Sequence, residues 1–95
     1  MAKKKKPLIP NDEKMTARKI DVAPPGIYSG AEIREMRVKM AVSQPMFAKL
    51  LGASTASVAH WEDGTSIPST IARRLFDVIR RDPLGYFNSL ATLRQ

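Results

Sequence analysis

Gly52 stands between two short apolar stripes, and residues 43–64, SQPMFAKLLGASTASVAHWEDG, have few ways to fold except as two helices meeting at a sharp corner. With Gln44 opening the first helix, Phe47 and Leu51 fall one turn apart on one face, and Ala48 lies beside them where its methyl lets a second backbone approach. Glycine carries no steric penalty at positive φ, so Gly52 can end that helix and turn the chain within a few residues. Ser54 is then a natural N-cap for the next helix. In it Val58 and Trp61 recur at i, i+3 and face back toward Phe47 and Leu51. Thr55, Ala56, Ser57, Ala59 and His60 are left on the outside. A face of small and polar side chains suits a surface that fits against something.

The flanking sequence supplies further helices. Ser29 at N-cap with Glu32 at N3 forms a capping box, Tyr28 and Ile33 occupy the positions of a hydrophobic staple, and Ile33, Met36 and Met40 mark a buried stripe ending near Ala41. Pro45 lies in the first turn of its helix, where the missing N–H is no loss. Helix three covers 55–63 with Gly64 at its C-terminal cap. A fourth helix begins near Ser69 and carries Ile71, Leu75, Val78 and Ile79 at inward spacing, with Arg73, Arg74, Arg80 and Arg81 on the rest of its surface. Asp82 and Pro83 open a fifth, running to about Leu93 with Phe87 and Leu90 inward. The expected fold is all-α, a compact five-helix domain over 27–95. It follows a basic, Pro-containing arm over 1–26, with the first fifteen residues expected to be disordered and a short strand at 16–22.

Ninety-five residues make one small domain whose core is marginal without a partner chain. There is no cysteine, which excludes a disulfide framework, a thiolate metal site and a cysteine nucleophile, and fits a reducing cytosol. No apolar run approaches a membrane span, and Lys3–Lys6 are followed by Pro7 and Pro10 rather than a signal core, so the expected location is cytoplasmic. The formal charge is +7. Residues 1–26 hold seven Lys/Arg against Asp12, Glu13 and Asp21. A polyanion is the natural partner of such a chain, although a lysine run can also be a solubilising tail.

The wording Ser43-Gln44, Phe47-Ala48-Lys49-Leu50-Leu51-Gly52, Val58, Trp61-Glu62-Asp63-Gly64 and Pro68 resembles the Cro/CI-type (XRE) helix-turn-helix family of bacterial and phage repressors, over about 28–90. The resemblance implies a lambda-repressor-like fold whose second motif helix enters the DNA major groove. It carries base readout onto Thr55, Ala56 and His60. Phosphate contact goes to Gln44 at a helix N-terminus and to Ser57, with Lys49, Thr65, Ser66 and Arg73 as further phosphate candidates. It also implies an ion pair between Arg37 and Glu62 that ties the motif to the first helix. The reading set holds no Arg, Asn or Gln, so backbone contacts and DNA shape should carry much of the recognition.

The function so implied is a sequence-specific, double-stranded DNA-binding transcriptional repressor, a homodimer on an inverted repeat. The dimer surfaces expected are 16–22 and the outer face of helix five, including Tyr86 and Leu93. KIDVAPPGIYSGAEIREMR before the motif and WEDGTSIPSTIARRL with RRDPLGYFNSL after it resemble, more narrowly, HigA-type antitoxins, which neutralise a RelE/HigB-like toxin and repress their own operon. The lysine-rich N-terminus is shorter than a dedicated toxin-binding segment. A protein-interaction helix-turn-helix module and an RNA-binding adaptor remain as other classes. Trp61 could offer a stacking platform, but its spacing from Val58 and Phe47 makes it a core-side residue. One histidine and no matched acidic pair leave no enzyme chemistry, metal site or cofactor to expect.

Overall fold

The computed structural model describes residues 20–92, and among these the chain is all-helical: α1 Gly30–Lys39, α2 Gln44–Leu51, α3 Thr55–Asp63, α4 Thr70–Ile79 and α5 Pro83–Leu90. Local chemistry sets the boundaries. Ser29 Oγ accepts from the Glu32 N–H at 3.1 Å while Glu32 Oε1 accepts from the Ser29 N–H at 2.8 Å, which satisfies two otherwise orphaned donors reciprocally. Ser43, Ser54, Ser69 and Asp82 cap the other four helices through their side-chain oxygens. Gly52 and Gly64 close α2 and α3 at φ 75° and 84°, in the left-handed region.

The end of α1 departs from that pattern. Its left-handed residue is Ala41, at φ 57°. The Ala41 N–H bonds to Val38 O at 2.8 Å and the Val42 N–H to Arg37 O at 3.5 Å, the pairing of a Schellman motif with alanine where glycine usually stands. A methyl there strains the backbone by about 1–2 kcal/mol, partly offset because alanine loses less chain entropy on folding. Ala41→Gly is therefore expected to stabilise the fold by roughly 0.5–1 kcal/mol. An unchanged or lower midpoint in urea would mean that the Ala41 methyl makes a contact worth more than the strain.

The core joins α1 (Ile33, Met36, Met40), α2 (Phe47, Ala48), α3 (Val58) and α4 (Phe76, Ile79), with Leu51, Trp61, Leu75, Tyr86 and Phe87 packed around it. Phe76 is fully buried and takes two aromatic neighbours edge-on, Tyr28 at 5.5 Å and Trp61 at 5.8 Å between ring centroids. That arrangement corrects the stripe expected on α4. Ile71 and Val78 are 84% and 55% exposed, and the face turned inward is Ala72, Leu75, Phe76 and Ile79. On α5, Leu90 is 56% exposed rather than inward, and the helix stops at Leu90 because Ala91 is extended. Tyr86 belongs to the packed side: it is half-buried and its hydroxyl donates to Leu50 O at 2.7 Å. The strand expected over 16–22 lies mostly outside the described residues. Its described part, 20–22, has no regular secondary structure.

Residues 23–28 lie against α4 and are held there by side chains of its middle turns. Arg74 Nη2 donates to Ala23 O at 2.6 Å, Arg73 Nη1 to Gly26 O at 3.0 Å and Pro25 O at 3.3 Å, and Asp77 accepts from the Gly26 N–H at 3.1 Å and from the Tyr28 hydroxyl. Arg74 closes the set with an ion pair to Asp77 at 3.2 Å. The hydrogen bond from Tyr28 holds the Asp77 carboxyl below the usual carboxylate range against its partial desolvation, helped by the Gly26 N–H, Arg74 and Arg80. Burial, and then the bond to Asp77, push the Tyr28 phenol up.

Candidate nucleic-acid interface

The turn Gly52-Ala53-Ser54 sets α3 against α2, and α3 buries only Val58 completely, with Trp61 and Glu62 half-buried on the same side. Ala56 and His60 lie on its opposite face and are exposed, and Thr55, in the first turn, is exposed as well. Ser57 is half-buried, and its hydroxyl accepts from Ser54 Oγ at 2.9 Å, so the start of α3 presents a pair of linked hydroxyls. Residues 55–61 contain neither Lys nor Arg. Apolar and single hydrogen-bond contacts are the only direct base readout such a face can make.

The C-terminal end of α3 is locked to α1. Arg37 Nε meets Glu62 Oε2 at 2.7 Å and Arg37 Nη2 meets Glu62 Oε1 at 3.0 Å, a two-pronged pair whose side chains are 14% and 5% exposed. Arg37 Nη1 also donates to Val42 O at 3.0 Å, tying the pair to the α1–α2 turn. Burial alone would raise the Glu62 pKa, but hydrogen bonds from Arg37 and Gln44, with Arg34 nearby, outweigh it and hold Glu62 below its ordinary value.

Gln44 is drawn into the same network. Its Nε2 donates to Glu62 Oε1 at 3.1 Å, which fixes the amide and leaves one of its two hydrogens for another acceptor. Pro45 has no N–H and the Met46 N–H is directed at Ser43 Oγ, so in this first turn an anion would meet the Gln44 backbone N–H and the oriented Gln44 amide. Thr65 and Ser66 are exposed in the loop after α3. The Thr65 N–H donates to Asp63 Oδ1 at 2.8 Å and the Ser66 N–H to His60 O at 3.2 Å, so the loop folds back on the last turn of α3.

Two phosphate candidates sit elsewhere. Arg73 is half-buried with its Nη1 committed to the Pro25 and Gly26 carbonyls, which makes it a holder of the N-terminal segment and a poor phosphate ligand. Lys49 is exposed and borders a groove between α2 and α5 with Met46, Leu50, Phe87 and Leu90. At five residues from Gln44 it lies about 140° around the helix from it. Reading the sequence also missed Gly30, Tyr28 as a hydrogen-bond donor, and Asp77. Only Gly30 left a signal: glycine at the first position of a well-capped helix has no local purpose, which points to a neighbour close by. A Cβ at Gly30 would stand 2.2 Å from Glu62 O, so α1 and α3 touch backbone to backbone at that point.

Compared with models of protein families and with curated proteins, the chain matches none. Among the described residues no helix is long and apolar enough to cross a membrane.

Proposed function

We propose that this chain is a sequence-specific, double-stranded DNA-binding transcriptional repressor of the helix-turn-helix class, lambda-repressor-like in fold and resembling the Cro/CI-type family. The observation that carries the reading is the division of labour on α3. Val58, Trp61 and Glu62 fix it to α1 and α2, while Thr55, Ala56 and His60 stand exposed. A helix held this firmly on one side and left small and polar on the other fits a groove. Two copies on half-sites about 34–36 Å apart would double a short readout, so a homodimer on an inverted repeat in the cytoplasm is part of the proposal. The exposed apolar side chains of α5, Leu84 and Leu90, are its nearest available contact surface on that helix.

Gel shifts with fragments of the source genome test the reading, followed by base-by-base substitution of any fragment retained. Thr55→Ala and His60→Ala are each expected to cost about 1–3 kcal/mol at one operator position and to leave the melting curve unchanged. Uniform weakening across all sequences would move both residues to phosphate contact, and a failure to shift any fragment would sink the reading. The antitoxin role is the narrower proposal, resting on the sequence phrases around the motif. Co-purification with the product of a neighbouring RelE-like gene tests it. A protein-docking module is the second reading, favoured by the apolar groove of Met46, Leu50, Phe87 and Leu90 and by the absence of Lys and Arg from 55–61.

A further inference from the structure

The Tyr86 hydroxyl ties α5 to α2 by donating to Leu50 O at 2.7 Å. Beside that tie the two helices diverge around an open groove of about 550 Å³, with Met46, Lys49 and Leu50 on one wall and Phe87 and Leu90 on the other. The α2 wall, from Met46 to Gly52, is about 9 Å long at 1.5 Å per residue, nearly two turns of a helix lying along it. Met46 and Leu90 are 41% and 56% exposed, so apolar surface stands uncovered on both walls.

Charge selects the occupant. The chain is 26% charged, yet α2 and α5 together carry a single charged residue, Lys49, and neither Asp nor Glu. A second copy related by a two-fold axis would set the groove against itself, and Lys49 would then find no carboxylate on either helix of its partner. A small ligand is poorly served too. Ligand pockets enclose most of their ligand and converge several polar groups on it, whereas this groove is open and its polar side chains are those of Lys49 and Thr92. A helix needs no such enclosure, because it buries one apolar face and leaves the other in water. The flexible thioether of Met46 suits that kind of contact.

We propose that the α2–α5 groove receives an amphipathic helix of a protein partner that carries acidic side chains beside its apolar stripe, with one carboxylate placed on Lys49. The assignment goes beyond the DNA-binding reading and stands without it. Lys49 lies about 140° around α2 from Gln44, so a partner in the groove and a phosphate at Gln44 would meet different faces of that helix.

The test titrates the full chain with two labelled peptides of about 16 residues in about 0.15 M salt and without DNA. Both carry one leucine stripe at i, i+3, i+4 and i+7; one is flanked by Glu and its twin by Lys. The Glu-flanked peptide is expected to bind and its twin to bind more weakly. Lys49→Glu should weaken the Glu-flanked peptide about fivefold and tighten the twin, whereas Arg81→Glu, the same charge change on an exposed residue outside the groove, should leave both nearly unchanged. Because Leu90 is 56% exposed, Leu90→Ser should fold, and it should weaken both peptides about tenfold. Equal effects of K49E and R81E would reduce the preference to overall charge and overturn the assignment, as would binding that Leu90→Ser leaves untouched. Failure of both peptides to bind also overturns it, and self-association that Leu90→Ser abolishes in sedimentation would then give the groove to a second copy. With no DNA in the assay, none of these outcomes bears on α3.

Discussion

Glu62→Ala is expected to cost about 3–5 kcal/mol, a large part of the 5–15 kcal/mol that usually holds a domain of this kind together. The size follows from what is left behind. Arg37 is 14% exposed on its side chain, and without Glu62 it keeps only Val42 O among its partners while Gln44 loses the acceptor that orients it. Arg37→Ala should cost a similar amount with a different pH signature. In the intact protein Glu62 titrates below its ordinary value, so its stabilisation is complete above about pH 4.3 and is lost as pH falls through the lowered value. Without Arg37, the burial that raises the Glu62 pKa is opposed only by Gln44 and Arg34, so the lowering should shrink. The Arg37→Ala variant should therefore lose less of its stability than the intact protein as pH falls below about 4.3. Thermal melts of both single variants and the double variant from neutral pH down through that range measure the coupling. Costs that simply add would show that the pair contributes no mutual stabilisation.

The two partners stand 25 residues apart and only the family resemblance points to the pair, whereas the ends of the helices beside it are legible because their signals are local. The limits of α2 and α3 are written by Ser43, Gly52, Ser54 and Gly64, each acting within four residues of the boundary it sets. α4 was harder to read because two stripes share Leu75 and Ile79, one adding Ile71 and Val78 and the other Ala72 and Phe76. Periodicity alone does not separate them. The choice is made by Tyr28 and Trp61, which enclose an aromatic ring and not an isoleucine. The hold of α4 on residues 23–28 lies out of reach for the same reason: Gly26 and Asp77 are 51 residues apart, and nothing in the spacing of either announces the other. On the candidate interface, periodicity separates the outer face of α3 from its inner face. It gives no hint that Arg73 is turned onto backbone carbonyls or that Gln44 is held by Glu62.

Gly30→Ala should cost about 3 kcal/mol, although helix propensity by itself favours alanine over glycine by up to about 1 kcal/mol. The new Cβ would fall 2.2 Å from Glu62 O and 2.8 Å from both Glu62 C and Trp61 O. These are backbone atoms in the last turn of α3, and no rotamer change can move them aside. α1 would have to retreat, yet Ile33 in its next turn is fully buried and Arg37 beyond it grips the same Glu62, so the displacement strains the core and the ion pair together. Gly52→Ala is the matched control, since a Cβ there meets nothing within 4 Å and the cost is conformational alone, about 1–2 kcal/mol. In a domain of this length the Gly30 change should lower the melting temperature by roughly 12–24 °C, at 4–8 °C per kcal/mol. A Gly30→Ala variant that melts at or above the wild type would mean that α1 and α3 can separate without loss, and it would remove the rigid support on which the presentation of Thr55, Ala56 and His60 depends.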